Sequence, residues 1–306
     1  TQEEAQQWLR EQHMKLFLGS GNGQIDRTKK VGDLAMQWLE SKALASSTRE
    51  DYRIRVVKYV VEHPLGMAPI GELKAHHVDT LLKNTPENWT RIHVAKILAK
   101  FFDWCDANDY TNKNLYARAT DVEKLVKDAY RVVQENRRES TDNVWTPKEF
   151  VRFMEHEESP VYRAFWMFMA VTGVRRGEAI GLMWVNVNLD QGWALVADNI
   201  TTGGSEIFHE KRPKNGKRRK VYFDKPMAVI LRKLKADQDA YRETQETWVG
   251  DFVFDRRFGW GKGYAPGIHL APATVTERFN RHTRECGLDN LSGPHGLRRT
   301  LPTIMD

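Results

Sequence analysis

The chain is poor in cysteine, has no long apolar run and carries little net charge for its size. Its 306 residues include two cysteines, Cys105 and Cys286. Two thiols build no disulfide framework and form no CxxC metal pair, so a reducing intracellular compartment is expected. The longest apolar run is Ala164-Phe165-Trp166-Met167-Phe168-Met169-Ala170-Val171. It falls far short of the ~18 residues that a membrane span requires, and no membrane partner is expected. No apolar leader stands at Thr1, which gives export no support. The chain also starts without methionine, so an N-terminal piece is expected to have been removed. Neither an HExxH pattern nor a cluster of acidic metal ligands occurs, and the expectation is no cofactor and no metal.

What is present begins with enough apolar material for real cores. Hydrophobic residues make up 41% and aromatics 10%, which excludes wholesale disorder. The length suits two domains at ~150 residues each. The formal net charge is +6, and it is localised. Between Phe208 and Tyr222 stand Lys211, Arg212, Lys214, Lys217, Arg218, Arg219 and Lys220 against the single acid Glu210. That stretch holds the whole excess. It reads either as a solvated charge run or as a surface for a polyanion, most plausibly a nucleic-acid backbone whose counterions are released on binding.

Glu3 to Phe17 reads as a short helix, followed by Gly19-Ser20-Gly21-Asn22-Gly23. No strand precedes those glycines and no GK[ST] follows, so they form a turn and not a phosphate loop. From Val31 to about Tyr116 the periodicity is helical. Ser46-Ser47-Thr48 offers N-cap residues to a helix carrying Tyr52, Val56, Tyr59 and Val60. Thr85-Pro86-Glu87 starts another, in which Val94, Ile97, Leu98, Phe101 and Cys105 recur at i, i+3, i+4 and face a core. His93, Lys96 and Lys100 fall on the opposite side, a solvated face or one that contacts a DNA backbone. Ala117 to Asn143 is highly charged and reads as a partly helical connector. Thr146 then caps a helix with Pro147 in its first position. Beyond it the types mix. A helix through Ala164 to Val171 leads to a turn at Thr172-Gly173, and a further helix begins near Arg175. Val185 to Ala197 and Ile207 to Phe223 read as strands, the latter folded back at Asn215-Gly216. Pro226 to Gln245 and Ala273 to Cys286 read as long helices.

Three segments carry the chemistry. In Thr172-Gly173-Val174-Arg175-Arg176-Gly177-Glu178, a Thr-Gly turn feeding a helix start would aim Arg175 and nearby amides outward, toward an anion. In Pro213-Lys214-Asn215-Gly216-Lys217, a lysine at a hairpin tip can reach a phosphate or protonate a leaving alkoxide. In His295-Gly296-Leu297-Arg298-Arg299-Thr300, a helical turn places His295 and Arg298 on one face, where imidazole and guanidinium can stabilise a pentavalent phosphorane. Each segment alone also fits an ordinary basic surface.

In this order the segments resemble the tyrosine recombinase family, the phage-type integrases. TGVRRGE is similar to the family's first arginine box, and HGLRRT resembles its HxLRHT second box, with Arg299 in place of the usual His. The resemblance covers about residues 32–306. It implies catalytic roles for Arg175, Lys214, His295 and Arg298, with Glu178 in support. Lys96, Lys100, Lys211, Arg212, Lys217, Arg218 and Arg219 would bind DNA. The implied fold is mainly α with a small β-sheet, a SAM-like helical core-binding domain followed by an α+β catalytic domain. The implied boundaries are an N-terminal helix and linker over 1–31, a core-binding domain over 32–116, a connector over 117–143 and a catalytic domain over 144–306. The implied chemistry is recombination of double-stranded DNA through a 3′-phosphotyrosyl link, which needs neither ATP nor metal. A tetramer is implied on DNA, with accessory bending or directionality factors, inside a bacterial cell or encoded by a phage or mobile element.

One element of the family pattern is missing. The nucleophilic tyrosine should follow the second box, yet all nine tyrosines precede His295. Tyr264, beside Trp260-Gly261-Lys262-Gly263, reads as a loop aromatic. The catalytic domain is therefore expected to be C-terminally truncated, with no nucleophile in this chain, which alone would be an inactive monomer. The alternative is a natural degenerate integrase that clamps duplex DNA without cutting it. Persistence of Arg175, Lys214, His295 and Arg298 favours the fragment. A phosphotransferase or nuclease using the same residues would want carboxylate clusters that are not there.

Overall fold

A computed structural model describes residues 26–138, 144–203, 206–210, 217–257, 265–288 and 293–298. The helix expected over Glu3 to Phe17 and the turn at Asn215-Gly216 lie outside them. The chain divides into two compact units, Thr1–Asn136 and Arg137–Asp306.

In the described part of the first unit, six helices surround a main core with a smaller apolar cluster beside it. The first, α1 (Val31–Glu40), buries Val31, Leu34, Ala35, Trp38 and Leu39, a heptad-like stripe along one face. Next come α2 (Ser46–Val56), running into a π turn over Val57–Val61, and α3 (Ala75–Lys83). Ser46 is the first residue of α2 and not its cap; Ala45 stands at the cap position without a side-chain bond. The longest helix, α4 (Trp89–Ala107), buries Val94, Ile97, Leu98, Phe101 and Cys105 as their spacing requires. It starts later than Thr85-Pro86 suggests, because Asn88 accepts the Thr90 N–H through its side chain at 2.7 Å and so caps the helix there. Thr85 closes α3 instead, its hydroxyl donating to the Leu81 carbonyl. Arg91, on the first turn of α4, is buried and donates to the Thr85 carbonyl at 2.8 Å, satisfying a group at the end of α3.

Much of the charged stretch after residue 117 packs into this first unit. Following the short α5 (Leu115–Arg118), α6 (Val122–Arg138) lays Ala129 and Val133 against Ile92. The buried Asp79 carboxylate accepts the Thr120 and Asp121 N–H groups just ahead of α6, at 3.2 and 2.9 Å. That placement favours an anion at a helix start.

Among its described residues the second unit mixes helices with two small antiparallel sheets. Helix α7 (Pro147–His156) opens on a capping box. The Thr146 hydroxyl accepts the Glu149 N–H at 3.3 Å, and Glu149 returns a carboxylate to the Thr146 N–H at 2.7 Å. Thr146→Ala should lower the urea midpoint by an amount equivalent to about 1 kcal/mol, with the m-value unchanged. Helix α8 (Pro160–Thr172) is apolar nearly all round, and its Phe165, Trp166, Phe168 and Met169 are fully buried. They meet Trp145, Phe153, Phe254 and Phe279 in an aromatic core. The remaining helices are the short α9 (Arg176–Ile180), α10 (Lys225–Glu243) and α11 (Pro272–Glu285), with a 3-10 turn over Pro294–Gly296.

The strands pair differently from the expectation. Val185 to Ala197 contains a 3-10 turn and two strands, β1 (Val187–Asn188) and β2 (Trp193–Val196). A further strand, β3 (Asn199–Gly203), pairs with β4 (Glu206–Glu210). The last, β5 (Arg219–Tyr222), pairs with β2, so the first sheet has the order β1-β2-β5. Ile207 to Phe223 is therefore not one folded-back hairpin: its two strands belong to different sheets. Adjacency in sequence pointed to a hairpin, but β4 is occupied by β3, joined to it by a short connection.

Candidate active site

The Thr172-Gly173 turn is where the first box begins. Gly173 ends α8 with φ 63°, a left-handed backbone that favours glycine, and its N–H returns to the Met169 carbonyl at 3.0 Å. Arg175 follows as the residue before α9. Contrary to the outward amides expected there, the Arg175 N–H turns back to Glu178 Oε2 at 2.8 Å. Helix α9 lies on β3 closely enough that a Cβ at Gly177 would collide with the Ile200 carbonyl and the Asn199 side chain. This approach fixes the direction in which Glu178 projects.

Glu178 is the buried centre of the site, with 1% of its side chain exposed. Its Oε1 accepts Arg175 Nη1 at 2.9 Å and Arg219 Nη1 at 3.0 Å; its Oε2 accepts Arg219 Nη2 at 2.7 Å. Burial by itself would push this carboxyl up. The bonds from Arg219 and from the Arg175 N–H and guanidinium override it and hold the carboxyl at about 2. It is ionised throughout the physiological range.

The second box arrives from the other end of the unit. Arg298 Nε donates to the Gly173 carbonyl at 2.6 Å, and its Nη1 stands 3.4 Å from His295 Nε2. Burial and the nearby Arg175 and Arg219 charges lower the Arg298 guanidinium's affinity for its proton, while Glu178 opposes them. Arg175, Arg298, His295 and Glu178, read from two boxes over a hundred residues apart, thus come together. Three guanidiniums face one carboxylate, a surplus of positive charge with Arg175 and Arg298 each partly exposed. Such a site can hold a phosphodiester and strengthen its grip as negative charge builds on phosphorus.

Lys211, Arg212, Lys214, Arg299 and Tyr264 lie outside the described residues. Lys217 and Arg218 are exposed. Arg219 is only partly so, because it is committed to Glu178. The alternation of β5 held the signal: Arg219 shares a face with the buried Val221, whereas Lys220 and Tyr222 are exposed. In the first unit Lys96 and Lys100 are exposed as expected, and Lys100 Nζ lies 3.2 Å from the Tyr52 hydroxyl.

A sequence profile of the phage integrase family matches residues 143–306, the part that holds both boxes. The chain belongs to the phage integrase family. Membership makes it a tyrosine-type site-specific DNA recombinase. No curated protein matches the chain. Solved integrases share the fold. The Tn1549 transposon integrase in complex with transposon right end DNA has a TM-score of 0.68 at 13% identity, over 90% of this chain and 86% of that one. A lambda integrase dimer bound to a core site gives 0.61 at 15%, over 90% and 89%. A lambda integrase tetramer bound to a Holliday junction gives 0.64 at 15%, over 95% and 80%. No helix among the described residues is long and apolar enough to cross a membrane.

Proposed function

We propose that this integrase grips the scissile phosphate of duplex DNA with Arg175, Arg298 and His295, and that Lys214 protonates the departing 5′ oxygen. The observation that carries the proposal is the convergence of both arginine boxes around the buried Glu178, within hydrogen-bonding distance of one another. A tyrosine phenol attacks phosphorus and passes its proton to solvent water; the bond from phosphorus to the 5′ oxygen breaks, and that oxygen takes a proton from Lys214. The product is a 3′-phosphotyrosyl link that conserves the bond energy for rejoining. The guanidiniums bear the charge that grows on the non-bridging oxygens, and their fixed placement avoids reorganisation in the transition state. Lys96, Lys100, Lys211, Arg212, Lys217 and Arg218 contact the DNA backbone. The assembly on DNA is a tetramer, inside the cell, with bending or directionality factors assisting.

The test uses the full product of the gene and nicked duplexes with a randomised centre, which trap a cleaved strand on the protein. An SDS-resistant, protease-sensitive adduct is expected. Its rate of formation should fall about 10²–10³-fold in Arg175→Ala and in Arg298→Ala. An adduct that forms at the same rate in both variants overturns the assigned roles. Salt-dependent binding with no adduct in the unaltered protein favours instead a DNA clamp that does not cut.

A further inference from the structure

The basic segment that holds the chain's charge excess contains one arginine with a different occupation from its neighbours. Arg219 places both terminal nitrogens on Glu178, at 3.0 and 2.7 Å, in a two-pronged contact. Its neighbours Lys217, Arg218 and Lys220 are exposed. A guanidinium whose fork is filled by a carboxylate has no fork left for a phosphate.

The partner it fills is the one that sets the first box. Glu178 holds Arg175 twice, by its main-chain N–H at 2.8 Å and by its guanidinium at 2.9 Å. A carboxylate that is 1% exposed stays ionised and aimed only if its lone pairs are taken. Arg175 by itself occupies one lone pair on each oxygen. Arg219 occupies one more on each and reaches them from a separate element, β5. It therefore fastens β5 to α9. It stands five residues after Lys214 in the sequence.

We infer that Arg219 is a positioning residue of the recombination site: it holds Glu178, and through it Arg175, while making no phosphate contact of its own. The inference deepens the phosphate-gripping reading above and rests on it. The depressed Glu178 carboxyl, to which Arg219 contributes, agrees with the geometry. Removing Arg219 leaves Glu178 bonded to Arg175 but no longer fastened to β5, and a shift of about 1 Å in a positioning group can cost roughly 10²-fold in rate.

Arg219→Ala, Arg219→Lys and Arg218→Ala, each made in the full product of the gene, separate the two roles. Two readouts are needed: the rate of adduct formation at saturating protein, and the salt dependence of binding to an uncut 40-bp duplex. For Arg219→Ala the adduct rate should fall about 10²-fold while affinity and salt slope stay as in the unaltered protein. Arg219→Lys should recover part of the rate, since it restores the charge but not the fork. Arg218→Ala should lose about 0.9 of the log–log salt slope, as a phosphate contact does. Arg219→Ala losing slope like Arg218→Ala, or keeping its full cleavage rate, overturns the inference. If the unaltered protein forms no adduct, the phosphate-gripping reading fails, and the salt slope alone still decides whether Arg219 touches phosphate. A melting curve for each variant guards against loss of fold, with Arg219→Lys as the less disruptive substitution.

Discussion

Glu178→Ala is expected to destabilise the second unit by about 1.5–3 kcal/mol and to abolish strand cleavage. The carboxylate bonds Arg175 and Arg219, lies close enough to Arg298 to act on its charge, and is almost fully buried. Deleting it strands Arg175 and Arg219 at half-exposed positions without their counter-charge, close to a third guanidinium. The Arg175 N–H also loses its acceptor. Urea denaturation of the variant measures the stability, and a loss below about 1 kcal/mol would show that solvent supports the guanidiniums unaided.

The same group has a pH signature. Its folded carboxyl lies at about 2, below its ordinary 4.5. A depressed carboxyl contributes stability that is fully present above about 4.5 and is lost as the pH falls toward 2. Glu178→Gln has no such titration. The stability gap between the unaltered protein and Glu178→Gln should therefore be widest near pH 7 and narrow steadily below pH 4.5. A gap that stays constant down to the acid transition would contradict the ion-pair geometry.

Glu157→Ala should be more damaging to stability, by about 3–5 kcal/mol, without touching the phosphate site. Glu157 is wholly buried where α7 gives way to α8. Its oxygens accept Arg278 Nε at 3.0 Å and a second Arg278 nitrogen, the Trp166 indole N–H at 3.1 Å and the Ser159 N–H at 2.9 Å. Burial by itself would raise this carboxyl; these donors outweigh it and hold it below the usual carboxylate range. Removing the acid leaves these four N–H donors without their acceptor. Glu157→Leu combined with Arg278→Met removes both charges at once and should lose less than the sum of the two single losses, because neither side is left unpaired. Denaturation of the three variants measures the coupling; strict additivity would mean that the pair does not interact.

Legibility along the chain followed the range of the forces involved. The α4 core face could be read from the spacing of Val94, Ile97, Leu98, Phe101 and Cys105, since a helix repeats its buried stripe every few residues. The capping box at Thr146 is equally local. The start of α4 was misplaced because proline in a first turn and an Asn cap are both plausible within three residues of each other, and only the Asn88 bond selects one. The strand partners were misread for a different reason. A strand's alternation says which face is buried but not which strand lies beside it, so the union of β5 with β2 had no local signature.

By itself the sequence determined the family, through two arginine boxes in order. It also determined a helical first unit, a mixed second unit and a charge excess confined to one segment. Helix periodicity and motif chemistry are written in near neighbours. Only the tertiary structure decided that the two boxes meet, and that one of the basic residues, Arg219, is bonded to a buried carboxylate. Arg219 and Glu178 are 41 positions apart, and no local rule pairs them. The close approach of α9 to β3, which Gly177 allows, sets one side of that contact, and the register of β5 on β2 sets the other. A buried carboxylate then takes whichever cations the packing brings within reach.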